Sequence, residues 1–324
     1  MTRIAAIVVT FNSESEIGPC LDALEGRAEV LLVDNASVDG THAEVRSRPW
    51  VRFVENTVNR GFAGAVNQGV AATDAPLILL LNPDAHVESD LDALADACEK
   101  YGIAAGRLIG SDGKTQTGFT IRRFPSWTAL AFESLGLNRL WPGNPVNRNY
   151  RYLDRDLSFD GEADQPAGAF LMVKRELFQR LGGFDEAFHP IWFEDVDFLK
   201  RAAELGVRAR YVPSVVARHS GAHSIGRITG ECRTRFWYAS LLRYAAKHFS
   251  TMQFRAVSGS VALGCLLRLV TGIFTEQKNS VVFRQVIRIA AGGVWRGQLC
   301  SGGEPEVKWS EGDARAMASH SAQR

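Results

Sequence analysis

The sequence predicts an α/β protein with a largely parallel sheet, on three grounds. Over roughly the first hundred residues, strand-length apolar runs alternate with stretches of helical spacing. The apolar runs are continuous rather than alternating, as in strands buried on both faces. Small polar residues close three of them, in Thr10-Phe11-Asn12, Asp34-Asn35-Ala36-Ser37 and Asn82-Pro83-Asp84, at the sheet edge where open α/β folds bind ligands.

Taken in order, Ile4 to Val9 reads as a strand and Ile17 to Leu24 as a helix. Val30 to Val33, Val51 to Val54 and Leu77 to Leu81 continue the strands. Thr41 to Val45, Phe62 to Val70 and Leu91 to Tyr101 supply the helices of right-handed crossovers. The pattern changes after about residue 105, where Asp112-Gly113 sits between Leu108-Ile109 and Thr115-Gln116 as a hairpin turn. Arg122 to Asp164, rich in Pro, Asn and Arg, reads as irregular surface loops. Ala169 to Val173 is a strand, Arg175 to Leu181 a helix stopped by Gly182-Gly183, and Glu194 to Leu205 a helix ended by Gly206. Two strands follow, Val207 to Val212 and Val215 to Arg218. Helical patterns then run from Glu231 to His248 and from Phe254 to Phe274, and the polar stretch 301–324 is expected to fray.

With 324 residues, 46% of them hydrophobic and 23% charged, the chain has enough apolar surface for one large or two ordinary domains. Thirty-seven Lys and Arg against 36 Asp and Glu give a net charge of +1, which excludes a polycation built to coat nucleic acid. The charge is unevenly spread. Arg233 to Cys300 holds ten basic residues and one acid, a local +9 that leaves −8 for the remainder, so an anionic partner is expected to meet the C-terminal quarter. Five scattered cysteines with no CxxC pair suggest neither a disulfide framework nor a zinc ribbon, and fit a reducing cytoplasm. The start MTRIAAIVVTFN reads as a first strand rather than a signal peptide.

Several side chains have the chemistry of a site, each with a structural alternative. Asp34 emerges from the sheet's ligand edge, where a carboxylate accepts hydrogen bonds from a base or ribose; a helix cap or Asx-turn would use the same residue. Asn59 to Gly69 places small residues at a helix start, suited either to a nucleotide's approach or to tight packing on the sheet. Asp84 at a strand tip suits a hard divalent cation that must keep positions open for phosphate oxygens, and an ordinary turn has the same composition. Phe193-Glu194-Asp195-Val196-Asp197 sets three acids at a helix N-terminus, as a general base with neighbours or as caps paired with Lys200 and Arg201. Of His219 and His223, one is expected to be a ligand, because the Gly-containing stretch between them is a loop and not a helix. Trp192 offers a stacking wall for a sugar or an ordinary core aromatic. Arg122 and Arg123 suit either a diphosphate or a solvated loop. Neither GxxxxGK[ST] nor a GxGxxG after the first strand occurs, which disfavours a kinase or a nicotinamide enzyme.

In order, the motifs VVTFN, VDNASVDGT, NRGFAGAVNQG, LLNPDA, PAGAFLMVKRELFQRLGGFDE, FEDVDF and RHSGAHS resemble family 2 glycosyltransferases of the rhamnosyltransferase-like branch, over about residues 3–225. The resemblance implies a GT-A fold: a Rossmann-like, mainly parallel mixed sheet flanked by helices, here with a C-terminal helical extension. It further implies a nucleotide-diphosphate sugar donor, Mg2+ or Mn2+, and inversion at the anomeric carbon. By the same likeness Asp34 binds the donor's base while Thr10, Asn12, Asn59, Gly61, Phe62 and Asn67 line the nucleoside. Asn82-Pro83-Asp84 falls at the DxD position. Because Asn82 replaces the first Asp, Asp84 becomes the main carboxylate on the metal, with Asn82 beside the donor and His219 matching the family's later histidine ligand. Asp195 resembles the general base, and Gly168, Ala169, Trp192 and Glu194 face the acceptor or sugar.

Three regions are expected: a catalytic domain over 1–228, a basic helical region over 229–300 and a flexible tail over 301–324. Val257 to Phe274 is apolar but for Arg268, short for a membrane span, and suits either a helix lying on an anionic bilayer or a dimer-forming helical pair. The function that follows is metal-dependent transfer of a hexosyl group, rhamnose from dTDP-rhamnose first, to a glycan or polyprenyl-linked acceptor for cell-surface polysaccharide. The enzyme is placed in the cytoplasm, peripheral on the inner face of the plasma membrane. Another donor such as a UDP-hexose, or a catalytically silent nucleotide-sugar-binding protein, is the alternative.

Overall fold

The computed structural model describes residues 3–221, 230–272 and 280–299. His223, Cys300, the 301–324 stretch and the last residues of the helix expected to reach Phe274 lie outside the described residues. The elements begin with β1 (Ile4–Thr10), α1 (Glu14–Asp22), β2 (Glu29–Asp34), α2 (Thr41–Arg46), β3 (Arg52–Glu55), α3 (Gly61–Ala71), β4 (Leu77–Leu81) and β5 (Ala85–Val87). Next come α4 (Asp92–Tyr101), β6 (Ile103–Ile109), β7 (Ile121–Arg122), α5 (Trp127–Ser134), α6 (Leu137–Leu140), α7 (Pro145–Tyr150), β8 (Gly161–Ala163) and β9 (Gln165–Pro166). The chain continues with β10 (Phe170–Lys174), α8 (Arg175–Arg180), α9 (Glu194–Glu204), β11 (Ala209–His219), α10 (Gly230–His248), α11 (Thr251–Gly272) and α12 (Ser280–Arg296).

Within the described residues the chain divides into two compact units, drawn from 1–124, 154–190 and 194–224 and from 125–153, 191–193 and 225–324. The first unit holds a mixed sheet in the order β3-β2-β1-β4-β10-β6-β11-β5, with β8 paired to β11. β1, β2, β3 and β4 run parallel, whereas β10 is antiparallel to both β4 and β6. Alternate residues of β1 explain the continuous apolar run. Ile4, Ala6 and Val8 pack with Ile17, Cys20 and Leu21 of α1 and Leu94 of α4. Ala5, Ile7 and Val9 face the other way, onto Ala63 and Val66 of α3 and the Phe178, Phe184 and Phe198 cluster. Burying a side chain of this size contributes about 1.5–3 kcal/mol, so both faces are needed to hold the sheet.

Two expectations for this unit change in detail. The two strands expected over 207–218 are one, β11, whose pairing with β6 shifts register between Val212 and Val216. Pro213 falls in that shift, where its missing N–H costs no ladder bond. The hairpin turn is present: Gly113 has φ +75° and Ile109 bridges Thr115.

The second unit corrects the loops expected over 122–164, because α5, α6 and α7 lie there. The Ser126 hydroxyl accepts from the Ala129 N–H at 3.1 Å, and Asn144 caps α7 by accepting from the Asn147 N–H at 2.8 Å, with Pro145 at the first turn. α10, α11 and α12 bury Phe236, Leu241, Tyr244, Phe254, Val257, Val261 and Val286. α11 crosses α5 so closely that a Cβ on Gly264 would sit 2.2 Å from the Ser134 carbonyl, which also accepts from Arg268 at 2.7 Å. The expectation of a stretch too short for a membrane span is corrected here, since α11 is long and apolar enough for one by length and composition.

Candidate active site

The carboxyl ends of β1 and β2 carry one hydrogen-bonded network. The Asp34 carboxylate is wholly buried and accepts from the Thr10 hydroxyl at 2.7 Å and from the Ser37 N–H at 2.8 Å and hydroxyl at 2.5 Å. His42 Nε2 stands 2.9 Å from the same carboxylate. Asn12, held at φ +52°, accepts from the Val38 N–H at 2.8 Å, tying the first loop to the second. Asn59 accepts from the Gly61 N–H, and the Asn35 amide donates to the Gly61 carbonyl. Gly61 has φ +74° and a Cβ there would lie 2.6 Å from His189 Nδ1, so the backbone itself makes this corner.

At the tip of β4, Asn82-Pro83-Asp84 turns back beneath β10, with the Asn82 N–H donating to the Ala169 carbonyl at 3.1 Å. Asp84 and His219 meet here although 135 residues separate them in sequence: Asp84 Oδ1 lies 3.3 Å from His219 Nε2 and both residues are buried. Gln116 fixes the imidazole. Its amide nitrogen donates to the His219 carbonyl at 2.8 Å, which turns its oxygen toward His219 Nδ1 at 3.0 Å. Nδ1 therefore carries the proton and the Nε2 lone pair faces a carboxylate oxygen. Two acceptors at that distance call for a positive charge between them, either a second proton on the ring or a cation. A carboxylate oxygen and a neutral imidazole with its outer nitrogen tied down fit a divalent ion, although no group of three such ligands occurs among the described residues. Phe119 stacks flat on His219, the rings 5.2 Å apart and 5° from parallel.

The third part is the N-terminus of α9. Asp195 accepts from the Gly168 N–H at 2.9 Å and from the Val196 N–H at 2.7 Å. Burial pushes its carboxyl above the ordinary range, while those two N–H groups and the charge of Arg122 pull it back. Glu194 is buried, its Oε2 has no hydrogen-bond partner, and burial with the Asp195 charge raises it well above a usual glutamate. Arg122 lies over the Phe119 ring at 5.6 Å and its charge reaches Asp195, which relates the Asp84–His219 pair to the start of α9. The approach to α9 is tight, with Trp192 at φ +79° and Phe193 at φ +71°, values that cost an aromatic residue roughly 1–3 kcal/mol.

A carboxylate–imidazole pair at a sheet's carboxyl edge, with a buried acid at the start of α9, suits group transfer from a phosphorylated donor, and comparison with known proteins narrows the reading. The model for glycosyl transferase family 2 matches residues 5–182, and one described as the N-terminal domain of galactosyltransferase matches 153–227. An N-acetylglucosaminyl-diphospho-decaprenol L-rhamnosyltransferase of Mycobacterium tuberculosis is 34% identical over 248 residues, covering 70% of this chain and 79% of that protein. The chain belongs to glycosyl transferase family 2. Rhamnosyltransferase WbbL of Escherichia coli K12 is 27% identical over 187 residues, covering 56% of this chain and 66% of that one. Among solved structures, GalNAc-T7 with UDP, GalNAc and Mn2+ superposes with a TM-score of 0.51 at 16% identity over 68% of this chain and 44% of that one, a likeness of fold. The protein is thus a hexosyltransferase with a GT-A fold.

Seen as a glycosyltransferase, the chain brings Thr10, Asn12, Asp34, Asn82 and Asp84 to the sheet edge, while others of the expected residues have partners of their own. Asn67 spends its amide on the Phe184 backbone and on Glu186, holding the loop before the acidic helix. Phe62 packs toward Phe184 in the core. Trp192 belongs to the second unit, where its ring meets Trp237 edge-on at 5.7 Å. Gly168 and Ala169 are buried beside Asp195 and Asn82. Sequence reasoning missed His42, Gln116 and Phe119. His42 follows an Asp-Gly turn at a helix start, a weak signal, and neither Gln116 nor Phe119 carries any signal without knowledge of the fold.

Proposed function

We propose that this hexosyltransferase is a metal-dependent inverting enzyme that moves rhamnose from dTDP-rhamnose to a glycan or polyprenyl-diphosphate-linked acceptor in cell-surface polysaccharide synthesis. The observation that carries the chemistry is the facing pair Asp84 and His219 at the sheet's carboxyl edge, and Asp195, held by the Gly168 N–H, supplies the acid. The rhamnosyl and lipid-linked parts rest on the mycobacterial relative, whose name states both. Thr10, Asn12, Asp34, Asn59 and Gly61 form the nucleoside end. A base reaching Asp34 would have to displace one of its present donors, since the carboxylate's four acceptor sites are filled.

Asp84 and His219, with Asn82 beside them, would hold Mg2+ or Mn2+. Such an ion when bound neutralises charge on the departing diphosphate. Asp195 takes the proton from the attacking acceptor hydroxyl. The Gly168 and Val196 N–H groups fix its carboxylate, and Arg122 favours the ionised form a base needs. Direct attack from the side opposite the leaving group inverts the anomeric carbon. Removal of the base is expected to cost about 10²–10⁴-fold in turnover. Asp195→Asn should therefore retain donor binding and fold while losing turnover by that factor, and normal turnover in folded variant protein would remove the assignment.

The second reading, a nucleotide-sugar-binding protein without turnover, is favoured by Asn82 at the place of a carboxylate. Incubation with dTDP-rhamnose and with UDP-hexoses, with and without Mn2+, decides between the readings. Metal-dependent consumption of one donor and an inverted product by proton NMR support transfer, and binding without consumption supports the alternative. With a polyprenyl-linked acceptor the enzyme would work at the cytoplasmic membrane face.

A further inference from the structure

We propose that the α11–α12 pair is a docking face for an anionic lipid bilayer, which it meets lying flat rather than by crossing. α11 is apolar on two sides. Phe254, Val257, Val261 and Cys265 are packed inside the second unit at 0–1% exposure, whereas Leu263, Leu266, Leu267 and Val270 are each about half exposed, at 49–51%. The exposed four follow i, i+3, i+4, i+7 spacing, and Met252, 72% exposed, falls three turns earlier on the same side. Val294 of α12 lies against Gly259 of α11, where a Cβ would meet it at 3.8 Å, so the outer edges of the two helices join. α12 adds Val281 and Trp295, 60% and 85% exposed.

Charge decides what this face meets. Arg255, Arg284, Arg288 and Arg296 are exposed beside it. Among the described residues of 230–299, nine Lys and Arg stand against a single acid, Glu231. Apolar residues with a tryptophan, set among arginines, match the acyl boundary and the phosphate layer of an anionic leaflet. A second copy of the face would bring two arginine-rich surfaces together without acids to pair them. A crossing helix would have to give up the packing of Phe254, Val257 and Val261 and carry Arg268 into hydrocarbon.

The test is flotation of the full chain with vesicles of phosphatidylcholine alone and of phosphatidylcholine with about one third phosphatidylglycerol. The expected result is flotation with the anionic vesicles only, reversed by high salt. Arg284→Gln with Arg288→Gln should weaken partitioning about fivefold for each arginine removed. Leu263→Glu with Leu267→Glu should abolish flotation while circular dichroism and thermal unfolding stay as in the parent, since both positions are already half exposed. No flotation, equal binding to neutral vesicles, or unchanged binding by the folded leucine variant overturns the proposal. Resistance to alkaline carbonate extraction overturns it in favour of a crossing helix, and a concentration-dependent dimer lost in the leucine variant without vesicle binding overturns it in favour of self-association. The readout is binding and not transfer, so a wrong donor or acceptor assignment leaves the result standing.

Discussion

Gln116 carries no charge and belongs to no motif, yet its two hydrogen bonds decide which nitrogen of His219 holds the proton. Outer partners of this kind typically change metal affinity about 10–100-fold when removed. Gln116→Ala is therefore expected to weaken Mn2+ binding by that factor in an electron paramagnetic resonance titration without donor, while Gln116→Glu, which still accepts from Nδ1, retains more of it. Equal Mn2+ affinity in the alanine variant would exclude the positioning role. Asp195 gives a second prediction. As the proposed base it acts only when ionised, so activity is expected to fall as pH drops through its value, and burial sets that acid limb above the ordinary aspartate value of 3.8. Arg122 opposes the rise, so Arg122→Gln should move the acid limb of the kcat/KM profile to higher pH, and an unmoved limb would show that the arginine does not act on the base. Gly168 offers a third. A Cβ there would lie 3.1 Å from Asp195 Oδ2, closer than ordinary packing, so Gly168→Ala must displace the base and is expected to lower kcat by up to about 100-fold with the fold retained. Asp84, Asp195 and His219 were legible as candidates in the sequence because their chemistry and the family resemblance mark them, and Asp84 and His219 do meet. Gln116 and Phe119 were not, because their role exists only once β6 has turned back toward the end of β11.

At the scale of elements, legibility followed the length and uniformity of the pattern. β1, β2 and β4 are continuous Val, Ile and Leu runs, and burial on two faces leaves such sequences few other places. The helices α5, α6 and α7 have four to eight residues each, too short for a period to stand out from a Pro- and Asn-rich background. Ser126 and Asn144-Pro145 cap two of them, but isolated cap residues do not stand out where Ser, Asn and Pro are common. In β11, Pro213 and Ser214 interrupt the apolar pattern, yet the register shift between Val212 and Val216 lets one strand pass through them. β6 shows what this sheet demands of its residues. Gly106 lies between β10 and β11, and a Cβ there would stand 2.1 Å from the Phe170 ring and 2.7 Å from the Val215 carbonyl. The second of these neighbours is backbone and cannot turn aside. Gly106→Ala is expected to destabilise the protein by at least about 1–3 kcal/mol in denaturant unfolding, and a neutral effect would mean the strands separate more easily than their packing implies.

For the whole molecule, the acids at the start of α9 set stability against function. Glu194 is buried beside Asp195 without a partner for Oε2, an arrangement that no stability requirement explains. Its folded value lies well above the 4.5 of an ordinary glutamate. The native state therefore holds the proton to higher pH than the unfolded chain does, and the sign follows. The protein is most stable with respect to this group below about 4.5 and loses stability as pH rises from there to the raised folded value. Within that window one fully shifted group changes stability by about 1.4 kcal/mol for each pH unit. Asp195, raised in the same direction, adds a smaller slope beginning near 3.8. Glu194→Gln removes the larger slope whatever constant cost the amide brings in that site. Unfolding measured from pH 4.5 to 8 should show wild-type stability falling steadily relative to Glu194→Gln, whichever protein is the more stable at pH 4.5. A difference that stays constant, or moves in favour of the wild type as pH rises, would mean that Glu194 is not held protonated and that the two acids share the site as charges.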